Sequence, residues 1–154
     1  MPTRPIFLSR PTTLSGDYST EADKFERFLN GHGFHPVRLG GSSYSTKAPL
    51  QAVIDLMKKC DGAIILGYPK QEVSAKGFGS DISITLPTPW NQIEGALSYA
   101  LKKPALVVAH NGIGGGVFDY GITGEFVYKG DLTKTGWFKV AAFTGAFNDW
   151  KKRV

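Results

Sequence analysis

The chain has 154 residues, 42% hydrophobic and 20% charged, enough for one domain with a buried core. Its net charge of +5 is mild and scattered (Lys58-Lys59, Lys102-Lys103, Lys151-Lys152-Arg153), which suits an anionic small molecule and draws no basic stripe for nucleic acid. The single cysteine, Cys60, excludes an intrachain disulfide and a cysteine-rich metal site, and no apolar run has the length of a signal peptide core or a membrane span, so the expected setting is the cytoplasm.

Arg4 to Ser9 reads as a short buried strand, closed by Arg10-Pro11. A polar loop follows, and Thr20 is the expected cap of a helix whose apolar stripe is Phe25, Phe28 and Leu29. Gly31 or Gly33 stops it, and Phe34 to Leu39 forms a second strand. After the loop Gly40 to Thr46, Pro49 opens a helix with Leu50, Val53, Ile54 and Met57 at helical spacing. Ala63 to Tyr68 is a continuous apolar run, the mark of a central parallel strand. Pro69 to Pro87 is a long insertion rich in Gly, Ser and Lys, of a length that is usually functional or mobile.

Thr88 then caps a helix with Pro89 at its first position, where a missing N–H costs nothing. Ile93, Ala96, Leu97, Ala100 and Leu101 are its expected buried stripe, with Trp90 and Glu94 aligned beside it. Pro104 to Ala109 is the next buried strand, and Glu125 to Tyr128 a short fifth one. Trp137 to Trp150 closes the chain as a helix with Val140, Phe143, Ala146, Phe147 and Trp150 inward.

Alternating strands and helices imply an α/β fold over residues 1–154, a single flavodoxin-like three-layer sandwich. Right-handed crossovers give its five-stranded parallel sheet the order 2-1-3-4-5, with helices on both faces. Ligands of such sheets bind outside the carboxyl ends of the strands, beside the switch between strands 1 and 3. That rim carries Ser9, Arg10, Tyr68 and the start of the Glu94 helix, with Tyr44 in the loop after strand 2. Arg10 either meets a phosphate or is a solvated loop arginine. Tyr68 and Trp90 either flank a sugar or base or cover core.

Other motifs point away from common chemistries. Gly112-Ile113-Gly114-Gly115-Gly116-Val117 has Val117 where a third phosphate-loop glycine belongs, so it reads as a tight turn. His32, His35 and His110 share no metal spacing with acids, and no metal is expected. No nucleophile elbow is present. Glu94 on its own reads about equally as a surface glutamate near a helix N-terminus, where the dipole keeps it ionised.

A resemblance tips that balance. A first strand ending Phe7-Leu8-Ser9, a third strand Cys60-Asp61-Gly62-Ala63-Ile64-Ile65-Leu66, and Thr88-Pro89-Trp90 with Glu94 resemble the Toll/interleukin-1 receptor (TIR) family. There a Ser-x-Trp-Cys-x-x-Glu segment carries the glutamate that makes some members NAD-cleaving enzymes. Thr88, Trp90 and Glu94 fall in register with it, and Asn91 replaces the usual Cys. The stretch from Ile93 to Pro104 also resembles the nucleoside 2-deoxyribosyltransferases, whose Glu-x-Gly-x-Ala-x-Ala-x-Gly-Lys-Pro helix supplies a catalytic glutamate. The acidic and glycine residues that precede that glutamate in the transferases are absent here, and the specific match is confined to Thr88–Pro104.

The resemblance implies cleavage of an N-glycosidic bond, with NAD as substrate rather than cofactor and no further cofactor. Glu94 would stabilise or trap an oxocarbenium-like state. Ser9, Arg10, Tyr44, Tyr68, Trp90 and Asn91 would hold the nucleotide. It also implies a homo-oligomer and a place in antiviral signalling, and Tyr99, Phe118, Tyr120 and Phe126 offer apolar surface for assembly or are core. Two alternatives stay open: base exchange between deoxynucleosides, and a non-catalytic nucleotide sensor or adaptor.

Overall fold

The computed structural model describes residues 2–39, 49–75, 82–124 and 126–154. In chain order they form β1 (Arg4–Ser9), α1 (Gly16–Gly31), β2 (Phe34–Val37), α2 (Pro49–Lys58), β3 (Gly62–Gly67), β4 (Gln71–Ala75), β5 (Ile82–Leu86), α3 (Pro89–Ala100), β6 (Ala105–His110), β7 (Val127–Gly130) and α4 (Ala141–Arg153). Short 3-10 turns lie at Gly116–Phe118 and Trp137–Lys139.

The main sheet runs β2-β1-β3-β6-β7, every pair parallel, which is the expected 2-1-3-4-5 order of a flavodoxin-like fold. All six residues of β3 are buried, as a central strand covered on both faces requires. Successive side chains point to opposite faces. Leu8, Leu66 and Val108 therefore pack with Phe25, Phe143, Phe147 and Trp150 under α1 and α4. Phe7, Ile65 and Val107 pack with Val53, Met57 and Val117 on the side of α2 and α3. No helix among the described residues is long and apolar enough to cross a membrane.

Several expectations are corrected. Helix α1 starts a turn before Thr20, with Ser15 at its N-cap. The Thr20 hydroxyl donates instead to the Gly16 carbonyl inside the helix. Strand β7 begins at Val127, where it pairs with Val107, and Glu125 lies outside the described residues. The last helix is broken at Val140, whose extended backbone separates the Trp137–Lys139 turn from α4 and leaves its side chain 44% exposed. The insertion from Pro69 to Pro87 contains an antiparallel hairpin, β4 with β5. The Lys70 N–H closes its base on the Leu86 carbonyl at 2.9 Å. The residues of the loop Gly40 to Thr46 lie outside those described.

The largest correction concerns α3. Its buried face is Asn91, Gly95 and Ser98, while Ile93, Ala96 and Ala100 face outward. The helix approaches the sheet on small and polar residues. At Gly95 a Cβ would come within 2.8 Å of Val117, a distance real Cβ atoms do not tolerate. Leu97 and Leu101 cover the edge of the core from the flank.

Candidate functional site

The carboxyl ends of β1 and β2, Lys70 beyond β3 and the starts of α2 and α3 enclose a cavity of about 440 Å3. Leu8, Pro49 and Val53 give it apolar wall, and Arg10, Arg38, Lys70, Thr88, Trp90 and Glu94 give it chemistry. It lies where the parallel-sheet rule places ligands, beside the switch between β1 and β3.

Helix α3 aims Glu94 into this cavity. Thr88 is the N-cap: its Oγ1 accepts the Asn91 N–H at 3.3 Å, and Pro89 opens the helix. Burial pushes the Glu94 carboxyl up to about 7, and a hydrogen bond from Ser9 pulls it the other way. The expectation that the helix N-terminus keeps this group ionised is corrected. Glu94 lies beyond the first turn, where the dipole has faded, and desolvation dominates. Near neutrality the carboxyl is therefore divided between its two protonation states. Trp90, one turn earlier, stands at the rim and is 43% exposed.

Ser9 and Asn91 are each buried, and neither lines the cavity. Asn91 Nδ2 donates to Ser9 Oγ at 2.9 Å and to the Leu66 carbonyl at 3.1 Å. The bonds tie the start of α3 to the ends of β1 and β3.

Arg10 lines the cavity, but its guanidinium is held from behind. Nη1 lies 2.9 Å from Glu26 and 3.9 Å from Asp23, and the side chain is 5% exposed. Arg38 Nη1 reaches the same Glu26 oxygen at 2.8 Å. Lys70 is exposed and makes no ion pair among the described residues. Arg38 and Lys70 were not singled out from sequence. Both stand just past the carboxyl end of a strand, so the rule that selected Arg10 applied to them equally.

Tyr68 is brought to a different place. It packs on the α1 side of the sheet, its ring edge-on to Tyr18 at 5.8 Å, and it does not line the cavity with Glu94. Burial raises its phenol well above the usual range, and its Oη has no hydrogen-bond partner among the described residues. Tyr44 lies outside the described residues. Phe118 is core, whereas Tyr99, Tyr120 and Phe126 are each more than half exposed.

The glycine loop is tied to its own end and to α3. Its Gly115 N–H is taken by Asp119 Oδ1 at 2.8 Å and its Val117 N–H by Gln92 Oε1 at 2.9 Å. Gln92 Nε2 also donates to the Gly115 carbonyl at 2.9 Å. The loop docks the flank of α3. Among the described residues no group of three or more His, Cys, Asp or Glu side chains is placed to hold a metal ion.

No family model and no curated protein matches the chain. Among solved structures it is similar to the CMP N-glycosidase BcmB of Clostridium botulinum, with a TM-score of 0.49 and 16% identity over 82% of this chain and 87% of that one. A likeness at that score and identity says nothing of what this chain binds or cleaves.

Proposed function

We propose that this protein cleaves the N-glycosidic bond of a nucleotide, with NAD as the substrate, nicotinamide as the leaving group and Glu94 as the catalytic carboxylate. The observation that carries the reading is the position of Glu94. Among the described residues it is the one carboxylate lining a cavity that otherwise presents cations and an aromatic rim. A carboxylate there stabilises or traps the oxocarbenium-like state at the ribose. The cations suit the diphosphate of the substrate. Nicotinamide leaves from a cationic ring nitrogen, so its departure needs no proton donor. The positive ring also draws Glu94 toward its ionised form on binding, offsetting the burial that holds the free carboxyl near 7.

The same burial favours a second reading. A carboxyl that retains its proton near neutrality can donate it to a neutral departing base, as base exchange between deoxynucleosides or hydrolysis of a nucleoside monophosphate would require. Assembly into a homo-oligomer belongs to the first reading, with Tyr99, Tyr120 and Phe126 as exposed apolar surface. Activity rising more steeply than protein concentration is its sign.

The test is chromatography of products after incubation at high protein concentration with NAD, with a pyrimidine nucleoside monophosphate, and with deoxyadenosine plus a free base. Nicotinamide release that vanishes in Glu94→Gln supports the first reading. Base release from the monophosphate or base exchange supports the second. Binding without turnover on all three leaves a nucleotide sensor.

A further inference from the structure

The two arginines of the cavity meet at Glu26. Arg10 follows β1, Arg38 follows β2, and Glu26 lies on α1 between those strands. One carboxylate oxygen, Glu26 Oε1, accepts from Arg10 Nη1 at 2.9 Å and from Arg38 Nη1 at 2.8 Å. The two Nη1 atoms are therefore no more than two hydrogen-bond lengths apart. Arg10 Nε donates to the Pro11 carbonyl at 3.3 Å. Among the described residues, Nη2 of both arginines and Nε of Arg38 have no hydrogen-bond partner, and both side chains line the cavity. Lys70 lines it too, without an ion pair among the described residues. Three cations thus stand against Glu26 and the partly ionised Glu94, since Asp23 is 3.9 Å from Arg10 and 62% exposed to screening water.

We infer that Arg10 and Arg38, cross-linked by Glu26, form a site for a single phosphoryl group, so that the substrate of this cavity is a ribose bearing a 5′-phosphate and a free nucleoside is not. The inference rests on the reading of the cavity as a nucleotide glycosidase site. A carboxylate has two oxygens in one plane, and one guanidinium fork fills it. A phosphoryl group has three oxygens and accepts N–H groups from two planes at once. Two guanidiniums pinned to one oxygen converge on one such group rather than spreading along an extended chain of phosphates. Glu26 does not line the cavity and acts through the arginines, so it is a positioning residue. Its effect has a distinctive sign. Glu26→Gln makes the cavity more positive, and charge alone would tighten the binding of an anion. Positioning requires the reverse, because a neutral amide holds two guanidiniums less firmly.

The test is isothermal titration calorimetry of the whole chain at low salt with ribose 5-phosphate, with ribose and with ADP-ribose. It is made in Glu94→Gln, so that nothing turns over. Ribose 5-phosphate is expected to bind at least about tenfold more tightly than ribose. Arg38→Ala and Glu26→Gln each weaken it about tenfold, and Arg38→Lys, which keeps the charge and loses the fork, weakens it nearly as much. ADP-ribose binding more tightly than ribose 5-phosphate marks the phosphoryl group as half of a diphosphate, and equal binding marks it as terminal. Either result supports the site when Arg38→Ala weakens both ligands. Amide spectra establish that each variant is folded, and if Glu26→Gln is not, the two variants of the 41% exposed Arg38 decide the matter. Ribose 5-phosphate binding no more tightly than ribose overturns the inference. So does a folded Glu26→Gln that binds it more tightly, or an Arg38→Lys of unchanged affinity. Binding that is lost in Arg38→Ala, in a protein that turns over nothing even with Glu94 restored, supports the phosphoryl site and discards the glycosidase reading. Turnover of NAD that Arg38→Ala and Arg38→Lys leave unchanged does the reverse.

Discussion

Gly95 lies so close beneath Val117 that a methyl group on it would approach Val117 Cγ2 at 2.8 Å. The contact sets how near α3 stands to the Gly116–Phe118 turn, and α3 carries Glu94. Gly95→Ala is expected to destabilise the protein by about 1–3 kcal/mol, the usual effect of forcing a methyl group into a packed core. Urea unfolding measures this. The proposed glycosidase activity should fall further than stability explains, since the displaced helix takes Glu94 with it.

Glu94 itself works against folding at neutral pH. Its proton is held to about 7 in the folded chain and, at the ordinary value of 4.5, is lost earlier when the chain unfolds. Stability therefore declines as pH rises from about 4.5 to about 7. At about 1.4 kcal/mol per pH unit the full effect is up to about 3 kcal/mol. Glu94→Gln should match the wild type below pH 4.5 and exceed it by that margin at pH 8. Thermal unfolding across this range checks the sign, and a variant less stable than the wild type at pH 8 contradicts it.

The rate profile separates the two readings of the chemistry. If Glu94 acts as a carboxylate on a substrate whose base leaves as neutral nicotinamide, kcat/KM rises through about pH 7 and then levels. If Glu94 donates its proton to a neutral base, kcat/KM falls through the same pH. Initial rates from pH 5.5 to 8.5 distinguish the slopes.

Two of the cavity cations should respond differently to removal. Lys70 is exposed and free of ion pairs among the described residues, so Lys70→Ala is expected to raise KM for a phosphate-bearing substrate about tenfold and leave kcat and stability near wild type. Arg10 is buried against Glu26, and Arg10→Ala leaves that carboxylate with Arg38 alone. The expected result is a loss of about 2–3 kcal/mol in stability. Steady-state kinetics and urea unfolding on both variants test the contrast.

The sheet order was legible because β3 and β6 are continuous apolar runs between helical patterns, and handedness then leaves few topologies. The orientation of α3 was not. Periodicity assigns the buried face to apolar residues, and here that face is Asn91, Gly95 and Ser98, chosen for closeness and hydrogen bonding. The hairpin was hidden because Gln71 to Ser74 are all exposed and carry no alternating core signal. At the site, Thr88, Trp90 and Glu94 were readable from their spacing. The pairing of Arg10 and Arg38 on Glu26 was not, because the three side chains come from α1 and the loops beyond the two strands that flank it, and no periodic pattern links them. Nor does any local pattern reveal that Glu94 is buried deeply enough to keep its proton.

The bond from Lys70 to Leu86 has a consequence for how this rim can change. It brings the two ends of the hairpin together, so the fifteen-odd residues between them behave, toward the rest of the fold, as a graft on a closed stem. Beyond its stem the hairpin bridges from Thr85 to Ile113 but pairs with neither β3 nor β6 among the described residues, so changes between those anchors leave the register of the two strands untouched. Lys70, at the stem, stays at the cavity whatever the graft becomes. The segment can therefore vary by itself, on a scaffold whose Glu94 and sheet need no accompanying change.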